Sequence, residues 1–448
     1  MENLEPVMEF IVGKELVQKG QRIGVGVSGG VDSMTLLAYL NSVRKELGIE
    51  IVAVHVNHNI RPTARKEALF VAKYCKANGI DHVSFSVDVP AYSRENKSGI
   101  EEAARILRYD SYAQAIRKKK LDKLATGHHM GDQAETILLN IFRGSGITGA
   151  GGMQPMRGCF IRPFLEISKQ DIIAYAYRNQ IPYMPDESND DNTFRRNFLR
   201  NEVMPILQRE WRGVERNIVD FGKNCRTDDE YMDSLVDTAY FQISENVVRI
   251  PLTMFIHDVA VCNRVVIKGA EKIGLGDNIE KKHIEMVVAL AKSGENGSRV
   301  DLPNGVYATR EYEYLAIVRK VKASTEKIYP FKIGKTSFAE FGTISVTKTI
   351  SFKLALQRGI MVIDVDRLPR QAKWRTRKDG DTFTKFGGKT KNLNAYLIDQ
   401  KVPSRLRDQI PVLALDNEIY AVAGHEISEK VRTDHNTVEA YVVEIIKD

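Results

Sequence analysis

The chain has 448 residues, of which 43% are hydrophobic and 27% charged, the balance of a soluble globular protein and too long for one ordinary core. A formal charge of +7 and a pI near 9.0 point to a polyanionic partner. No apolar run approaches the roughly 18 residues of a membrane span, and the start MENLEPVMEFIVGKEL lacks a signal-peptide pattern. Cys75, Cys159, Cys225 and Cys262 form no C-x-x-C pair, which argues against a disulfide scaffold, a zinc ribbon or an iron–sulfur site and for a cytoplasmic protein.

Residues 1–20 read as a short amphipathic helix leading into a first strand, Ile23 to Val27. That run gives way to Ser28-Gly29-Gly30-Val31-Asp32-Ser33, and a helix follows from about Asp32 to Leu47, stopped by Gly48. A strand, a glycine turn and a helix N-terminus make an anion site: glycines admit close approach and the first-turn amides point at the ligand. Ser28 and Ser33 add hydroxyl donors. Asp32 repels bare phosphate, so it either holds a Mg²⁺ ion bridging phosphate oxygens or caps the helix. A capped turn with no ligand is the commoner meaning of such a junction, but two Ser, two Gly and an Asp within six residues favour phosphate.

Two look-alikes fail. Gly24, Gly26 and Gly29 spell the dinucleotide fingerprint, yet the first two lie inside the strand, and strand two (Glu50 to Val56) ends in His55, Asn57 and His58 with no carboxylate for a ribose. Gly388-Lys389-Thr390 resembles the tail of a Walker A loop, whose required glycine would fall at Phe383.

A second helix is expected over about Ala64 to Asn78, and a third strand at HVSFSV. Ser98 and Glu101 spell a capping box for a helix to about Arg117. A fourth strand, KLAT, is followed by Gly127-His128-His129, a helix from about Asp132 to Arg143 and a loose glycine loop, Gly144 to Gly152. Strands alternating with helices imply an α/β, doubly wound parallel sheet with ligands at the strand C-termini, where the Ser28–Ser33 turn and the His128 loop both fall. A helix over Ser168 to Asn179 then leads to an irregular stretch, IPYMPDESNDDNTFRRNFLRNEVMPIL. The divisions expected are a catalytic domain over 1–212, a mainly helical domain over 213–325 ending in a hairpin, linker character over 321–345, and a small α+β domain over 346–448.

SGGVDS is the signature of the PP-loop, or N-type, ATP pyrophosphatases. GIEEAARILRYD (Gly99–Asp110), GHHMGDQAETILLNIFRGSG (Gly127–Gly146) and PDESNDDNTFRRNFLRNEVMP (Pro185–Pro205) are similar to successive motifs of the tRNA(Ile)-lysidine synthetase family, and the C-terminal run from Gly380 resembles that family's terminal domain. One departure is Gly131, where the family usually has a second acid; Asp132 and Glu135 survive, so a modest effect is expected.

The resemblance implies ATP and Mg²⁺ as cofactors. The implied substrates are free L-lysine and an isoleucine tRNA with a CAU anticodon, whose wobble cytidine becomes lysidine through an adenylylated intermediate. Ser28, Gly29, Gly30, Val31, Asp32 and Ser33 would bind the ATP phosphates, with Asp32 on the metal. Asp32, Arg108 and His128 would be catalytic: Arg108 holds phosphate, while His128 donates to the α-phosphate or the cytosine. Asp132 and Glu135, three apart at a helix start, would bind lysine, although acids there ordinarily just complement the helix dipole. One of His128 and His129 is expected to be structural.

Basic residues cluster at Arg195, Arg196, Arg200, Arg209, Arg212 and Arg216, around Trp374 (Arg375 included), and at Lys385, Lys389, Lys391 and Arg405. Solvated surface charge is the ordinary meaning of any one run; three clusters in a basic chain favour tRNA backbone contacts. From these, Arg195, Arg196, Arg200, Arg375, Lys389, Lys391 and Arg405 are the expected contacts. The rivals are a tRNA thiolase and a non-catalytic RNA-binding module. The oligomeric state, homodimer included, stays open.

Overall fold

A computed structural model describes residues 5–59, 64–184, 195–320, 328–338 and 341–446. The chain divides into two compact units, Met1–Tyr231 and Met232–Asp448.

In the first unit, helix α1 (Glu5–Gly13) precedes β1 (Arg22–Val27), α2 (Val31–Leu47), β2 (Glu50–Asn57), α3 (Ala64–Ala77) and β3 (Asp81–Ser86). Then come α4 (Val89–Asn96), α5 (Ile100–Lys119), β4 (Lys123–Ala125), α6 (Met130–Phe142), α7 (Ile147–Ala150), β5 (Met156–Arg157), β6 (Phe160–Ile161) and α8 (Lys169–Arg178). The sheet order is β3-β2-β1-β4-β6-β5, parallel except for the β5–β6 pair. β1 and β2 are nearly continuous apolar runs because helices cover both faces of such a sheet. The strand order reverses between β1 and β4, which places the open crevice of a doubly wound sheet above their C-terminal ends.

Beneath that crevice, Met34, Leu36, Leu37 and Leu40 of α2 are fully buried with Ile23 and Val25 of β1. Each such side chain contributes about 1.5–3 kcal/mol by leaving water. Tyr39 also packs edge-on against Tyr175 of α8, centroids 5.9 Å apart. The turn after β1 thus rests on a rigid base.

Several local expectations are corrected. Ser98 does not cap α5: Gly99 takes that position with no side-chain bond. The preceding segment is α4, capped by Asp88 and started by Pro90, and it turns at Lys97 with φ 50°. Asp88 and Pro90 were the missed start signal. The stretch read as irregular is helical over 195–210: α9 (Arg195–Phe198), one π turn (Leu199–Val203) and α10 (Met204–Glu210). The remainder of the PDESNDDNT motif, 185–194, lies outside the described residues. Next, α11 (Val214–Ser234) joins the first unit because Val214, Ile218 and Val219 pack on Met130 and Ala134 of α6.

The second unit begins with β7 (Gln242–Ser244), β8 (Val247–Pro251), α12 (Val259–Lys272), α13 (Lys281–Ser293), β9 (Arg299–Asp301), β10 (Val306–Glu311) and β11 (Tyr314–Arg319). Two helices therefore cover a five-stranded sheet, β7-β8-β11-β10-β9, where mostly helix was expected. The hairpin was legible, but β7 and β8 are short and escape a periodicity test.

The end of the chain is α+β. Strand order β12-β16-β19-β20-β17-β18 runs through Tyr329–Pro330, Lys373–Arg375, Val412–Leu415, Glu418–Val422, Thr382–Thr384 and Thr390–Asn392, with β21 (Glu426–Ile427) pairing β20. A four-stranded sheet joins β13 (Gly334–Phe338), β14 (Gly342–Thr349), β22 (Ala440–Ile446) and β15 (Met361–Asp364). Thus 328–345, expected as linker, contributes two whole strands, β12 and β13, and the start of a third; 321–327 lie outside the described residues. Trp374 is fully buried at the centre of this core rather than exposed among the basic residues beside it.

Candidate active site

The turn after β1 closes on itself. The Ser28 N–H donates to Ser33 Oγ at 3.1 Å, the two hydroxyl oxygens lie 3.1 Å apart, and the Ser33 hydroxyl donates to Gly30 O at 3.0 Å. Gly29 sits at φ +98°, where any other residue would be strained. Gly30 caps the 17-residue α2 with no side-chain bond, so no capping side chain competes for its first-turn amides, Val31 and Asp32 among them. Such an arrangement, bare first-turn amides at a helix N-terminus, suits an anion.

Asp32 faces a cation. The ammonium of Lys169 lies 2.5 Å from Asp32 Oδ1, reaching over from the first residue of α8. Sequence reasoning missed Lys169; its signal was a Ser168 cap just past β6, which starts a helix at the same sheet edge. A Mg²⁺ ion here would take Asp32 from Lys169 and draw its other ligands from phosphate oxygens and water, a set that suits one carboxylate at a phosphate turn.

The loop after β4 rests directly on this turn. A Cβ built on Gly127 would lie 3.2 Å from both Asp32 C and Ser33 N. His128 follows, with Nδ1 2.8 Å from Thr126 Oγ1. Burial pushes the His128 imidazole down to about 4; Asp132 opposes this, while Arg162, Arg196 and Arg108 reinforce it. His58, at the end of β2, is likewise pushed down to about 4, by burial and then by Arg108. Arg108, exposed on α5, thus lies close to two neutral imidazoles. His129 is the structural one of the pair: it caps α6, its Nδ1 accepting from Gly131 N at 3.1 Å while its backbone N–H donates to Asp132 Oδ2 at 3.0 Å.

Asp132 and Glu135 meet the two arginines the sequence had offered to RNA. Arg200 donates from Nε to Glu135 Oε1 at 2.7 Å and from Nη2 to Asp132 Oδ1 at 2.8 Å; Arg196 Nε donates to Glu135 Oε2 at 2.9 Å. Glu135 is only 3% exposed. Burial pushes the Asp132 carboxyl up, but His129, His128, Arg196 and Arg200 outweigh it and hold the group at about 2. Asp132 therefore stands ionised among these arginines, and the cluster lies near enough to the turn after β1 for Arg200 to feel Asp32.

These features match known proteins. Models of a PP-loop domain and of a TilS substrate C-terminal domain match residues 4–207 and 372–444. The chain is 30% identical to the tRNA(Ile)-lysidine synthase of Clostridium tetani over 99% of its own length and 98% of that protein. For the Clostridioides difficile tRNA(Ile)-lysidine synthase the figures are 30%, 99% and 99%. The chain belongs to the tRNA(Ile)-lysidine synthase family. It is also 30% identical, over 98% of its length, to a bifunctional protein TilS/HprT of Listeria monocytogenes, of which it covers 70%. The family is one of PP-loop, ATP-using ligases, as the SGGVDS turn implied, and among the described residues no helix is long and apolar enough to cross a membrane.

At Gly131, where the resemblance leads us to expect a second acid, the missing side chain leaves a space that neighbours fill. A Cβ there would lie 3.0 Å from His129 Cε1 and 3.5 Å from Glu215 Oε1 of α11. Glu215 accepts from Gln208 Nε2 at 2.7 Å, and its carboxyl is raised, first by burial, with Glu135 and Asp132 adding to the shift.

The other basic residues separate by environment. Arg195 is exposed on α9. Arg375 is buried and forks onto Asp381 at 2.7 and 2.8 Å, an internal tie that removes it from the RNA-facing set. Arg405 donates to the buried Glu311 at 2.7 Å, joining the start of the second unit to its end. Lys389 and Lys391 are exposed on the β17–β18 hairpin, with Lys391 2.9 Å from Asp399.

Proposed function

We propose that this protein ligates free L-lysine to carbon 2 of the wobble cytidine of a CAU-anticodon isoleucine tRNA, converting ATP to AMP and pyrophosphate. The observation that carries the reading is the arrival at one sheet edge of the phosphate turn, the Arg108–His128 pair and the Asp132–Glu135–Arg196–Arg200 cluster.

Cytosine O2 attacks the α-phosphorus, and pyrophosphate leaves. Charge then builds on the leaving phosphates, where the first-turn amides of Val31 and Asp32 and the Lys169 ammonium stand ready, and the Ser28 and Ser33 hydroxyls leave their bonds within the turn to donate. Mg²⁺ held on Asp32 would add charge neutralisation at those phosphates. Arg108, an exposed guanidinium close to His58 and His128, holds the α-phosphoryl oxygens. The target base lies in an anticodon loop, so extruding it is cheap.

The four-charge cluster suits the zwitterionic end of lysine. Asp132 and Glu135 take its α-ammonium, Arg196 and Arg200 its carboxylate, and the four-carbon stem carries the ε-amine toward His128. Each contact replaces an ion pair already present, so lysine is exchanged into the cluster with little desolvation of unpaired charge. Lys385, Lys389 and Lys391 on the β17–β18 hairpin and Arg195 hold the tRNA backbone. The cysteines favour no thiolase: Cys75, Cys225 and Cys262 are buried and Cys159 is half-buried, which leaves no exposed thiol pair.

The test is to mix the protein with CAU-anticodon tRNA, lysine and ATP labelled in its α-phosphate. Pyrophosphate release with label passing through the tRNA is expected. Label found only on a free metabolite would overturn the proposal.

A further inference from the structure

The Thr126 hydroxyl, just past β4, stands between two groups. Its Oγ1 lies 2.8 Å from His128 Nδ1 and 3.5 Å from Ile161 O. That carbonyl already accepts the Thr126 N–H at 3.0 Å and keeps a second lone pair. A carbonyl can only accept. The Thr126 hydroxyl is placed to donate to Ile161 O, and in that orientation its oxygen is left to accept from His128 Nδ1–H. In a neutral imidazole, a proton on Nδ1 leaves Nε2 bare.

We propose that Thr126 is a positioning residue that holds His128 in its Nδ1–H tautomer, so that Nε2 accepts the proton shed by the lysine ε-nitrogen as it bonds to the cytidine ring. This rests on the lysine-transfer reading above. The surroundings keep the ring neutral. Burial does most of this, and Arg162 after β6, Arg196 of α9 and Arg108 of α5 add to it against the carboxylate of Asp132 on α6. A bare Nε2 cannot donate to a phosphate, so His128 belongs to the second chemical step rather than the first.

The step balances as follows. The ε-ammonium loses one proton to solvent and attacks C2 as the neutral amine. As the C–N bond forms, the nitrogen becomes strongly acidic, so an acceptor of low basicity suffices, and its proton passes to His128 Nε2. The C2–O bond breaks with its electron pair going to the phosphate oxygen of departing AMP. The imidazolium then returns its proton to water.

Thr126→Val removes the hydroxyl at nearly constant shape, and Thr126→Ser restores it. Adenylylation of tRNA is measured without lysine, and transfer by adding lysine to the adenylylated tRNA. For Thr126→Val, adenylylation within about twofold of the parent, transfer slowed about tenfold and an unchanged lysine KM are expected, with Ser recovering the rate. The imidazole ¹⁵N shifts, assigned by loss of the signal in His128→Gln, should show protonated Nδ1 in the parent protein and a tautomer mixture in the valine variant. A parent spectrum with protonated Nε2, or transfer at the parental rate in Thr126→Val, would overturn the inference. If adenylylated tRNA never forms in the parent protein, the proposed function fails instead, and the ¹⁵N spectrum still decides the tautomer.

Discussion

The Lys169 ammonium occupies the carboxylate of Asp32 at 2.5 Å, at the turn where ATP phosphates are expected to bind. Asp32 thus keeps its charge neutralised without nucleotide, and Lys169 is held at the turn proposed to take the phosphates.

Lys169→Gln should therefore separate metal from nucleotide. With Asp32 unpaired, Mn²⁺ affinity of the nucleotide-free protein rises; with a cation lost near the leaving phosphates, kcat/KM for ATP falls about tenfold, about 1.4 kcal/mol. Titration with Mn²⁺ and steady-state pyrophosphate release read the two effects. Lower Mn²⁺ affinity in the variant would refute this role.

Arg200→Ala leaves the buried Glu135 with Arg196 alone. Removing one partner of a buried ion pair costs about 3–5 kcal/mol, and the remaining arginine keeps the loss near the lower figure. Urea unfolding should show it, and lysine binding by calorimetry should vanish. A parental midpoint with parental lysine affinity would show the cluster to be incidental.

The two depressed histidines set a pH window. His128 and His58 both lie at about 4 in the folded chain against an ordinary 6.5. Between those values the unfolded chain binds more protons, so the stabilisation present above pH 6.5 is lost as pH falls toward 4. Asp132, held at about 2, extends the loss below its ordinary 3.8. The fall in Tm between pH 6.5 and 4 should be shallower in His58→Gln and His128→Gln than in the parent; parallel curves would contradict these environments.

In the second unit, stability and RNA affinity should part company. Arg375→Ala strands Asp381, which is 1% exposed, and lowers Tm. Lys385→Ala with Lys389→Ala leaves Tm unchanged but weakens tRNA binding. Loss of two phosphate contacts flattens the slope of log affinity against log salt by roughly 1.5. An unchanged slope would take this hairpin off the RNA.

Gly131→Asp brings a carboxylate against Glu215, whose carboxyl is already raised by burial and neighbouring acids. It should destabilise alone and be tolerated with Glu215→Gln, a coupling visible in a double-mutant cycle. Additive effects would mean that Glu215 does not fill that space.

The sequence carried the first unit well because parallel strands, glycine stops and the SGGVDS turn are local signals. Gly24 and Gly26 were rightly read as strand residues; a Cβ at Gly26 would come 2.5 Å from Tyr112 Oη, so that glycine admits a ring rather than a dinucleotide. What escaped depends on distant partners. Arg196 and Arg200 were assigned to the tRNA backbone because Glu135, their partner, lies 61 and 65 positions away. Lys169 is 137 positions from Asp32. Trp374 gave no hint of full burial among basic neighbours. The short β7 and β8 escaped because their pairing, not their pattern, defines them.

Gly127 has no side chain, and its backbone sits against the Asp32–Ser33 peptide. The proposed nucleotide grip and the imidazole's aim are consequently geared to one another. Lengthening either loop, or giving position 127 even a methyl group, would throw both out of mesh at once, so variation in this enzyme's nucleotide handling must come from side chains hung around the joint and not from the joint itself.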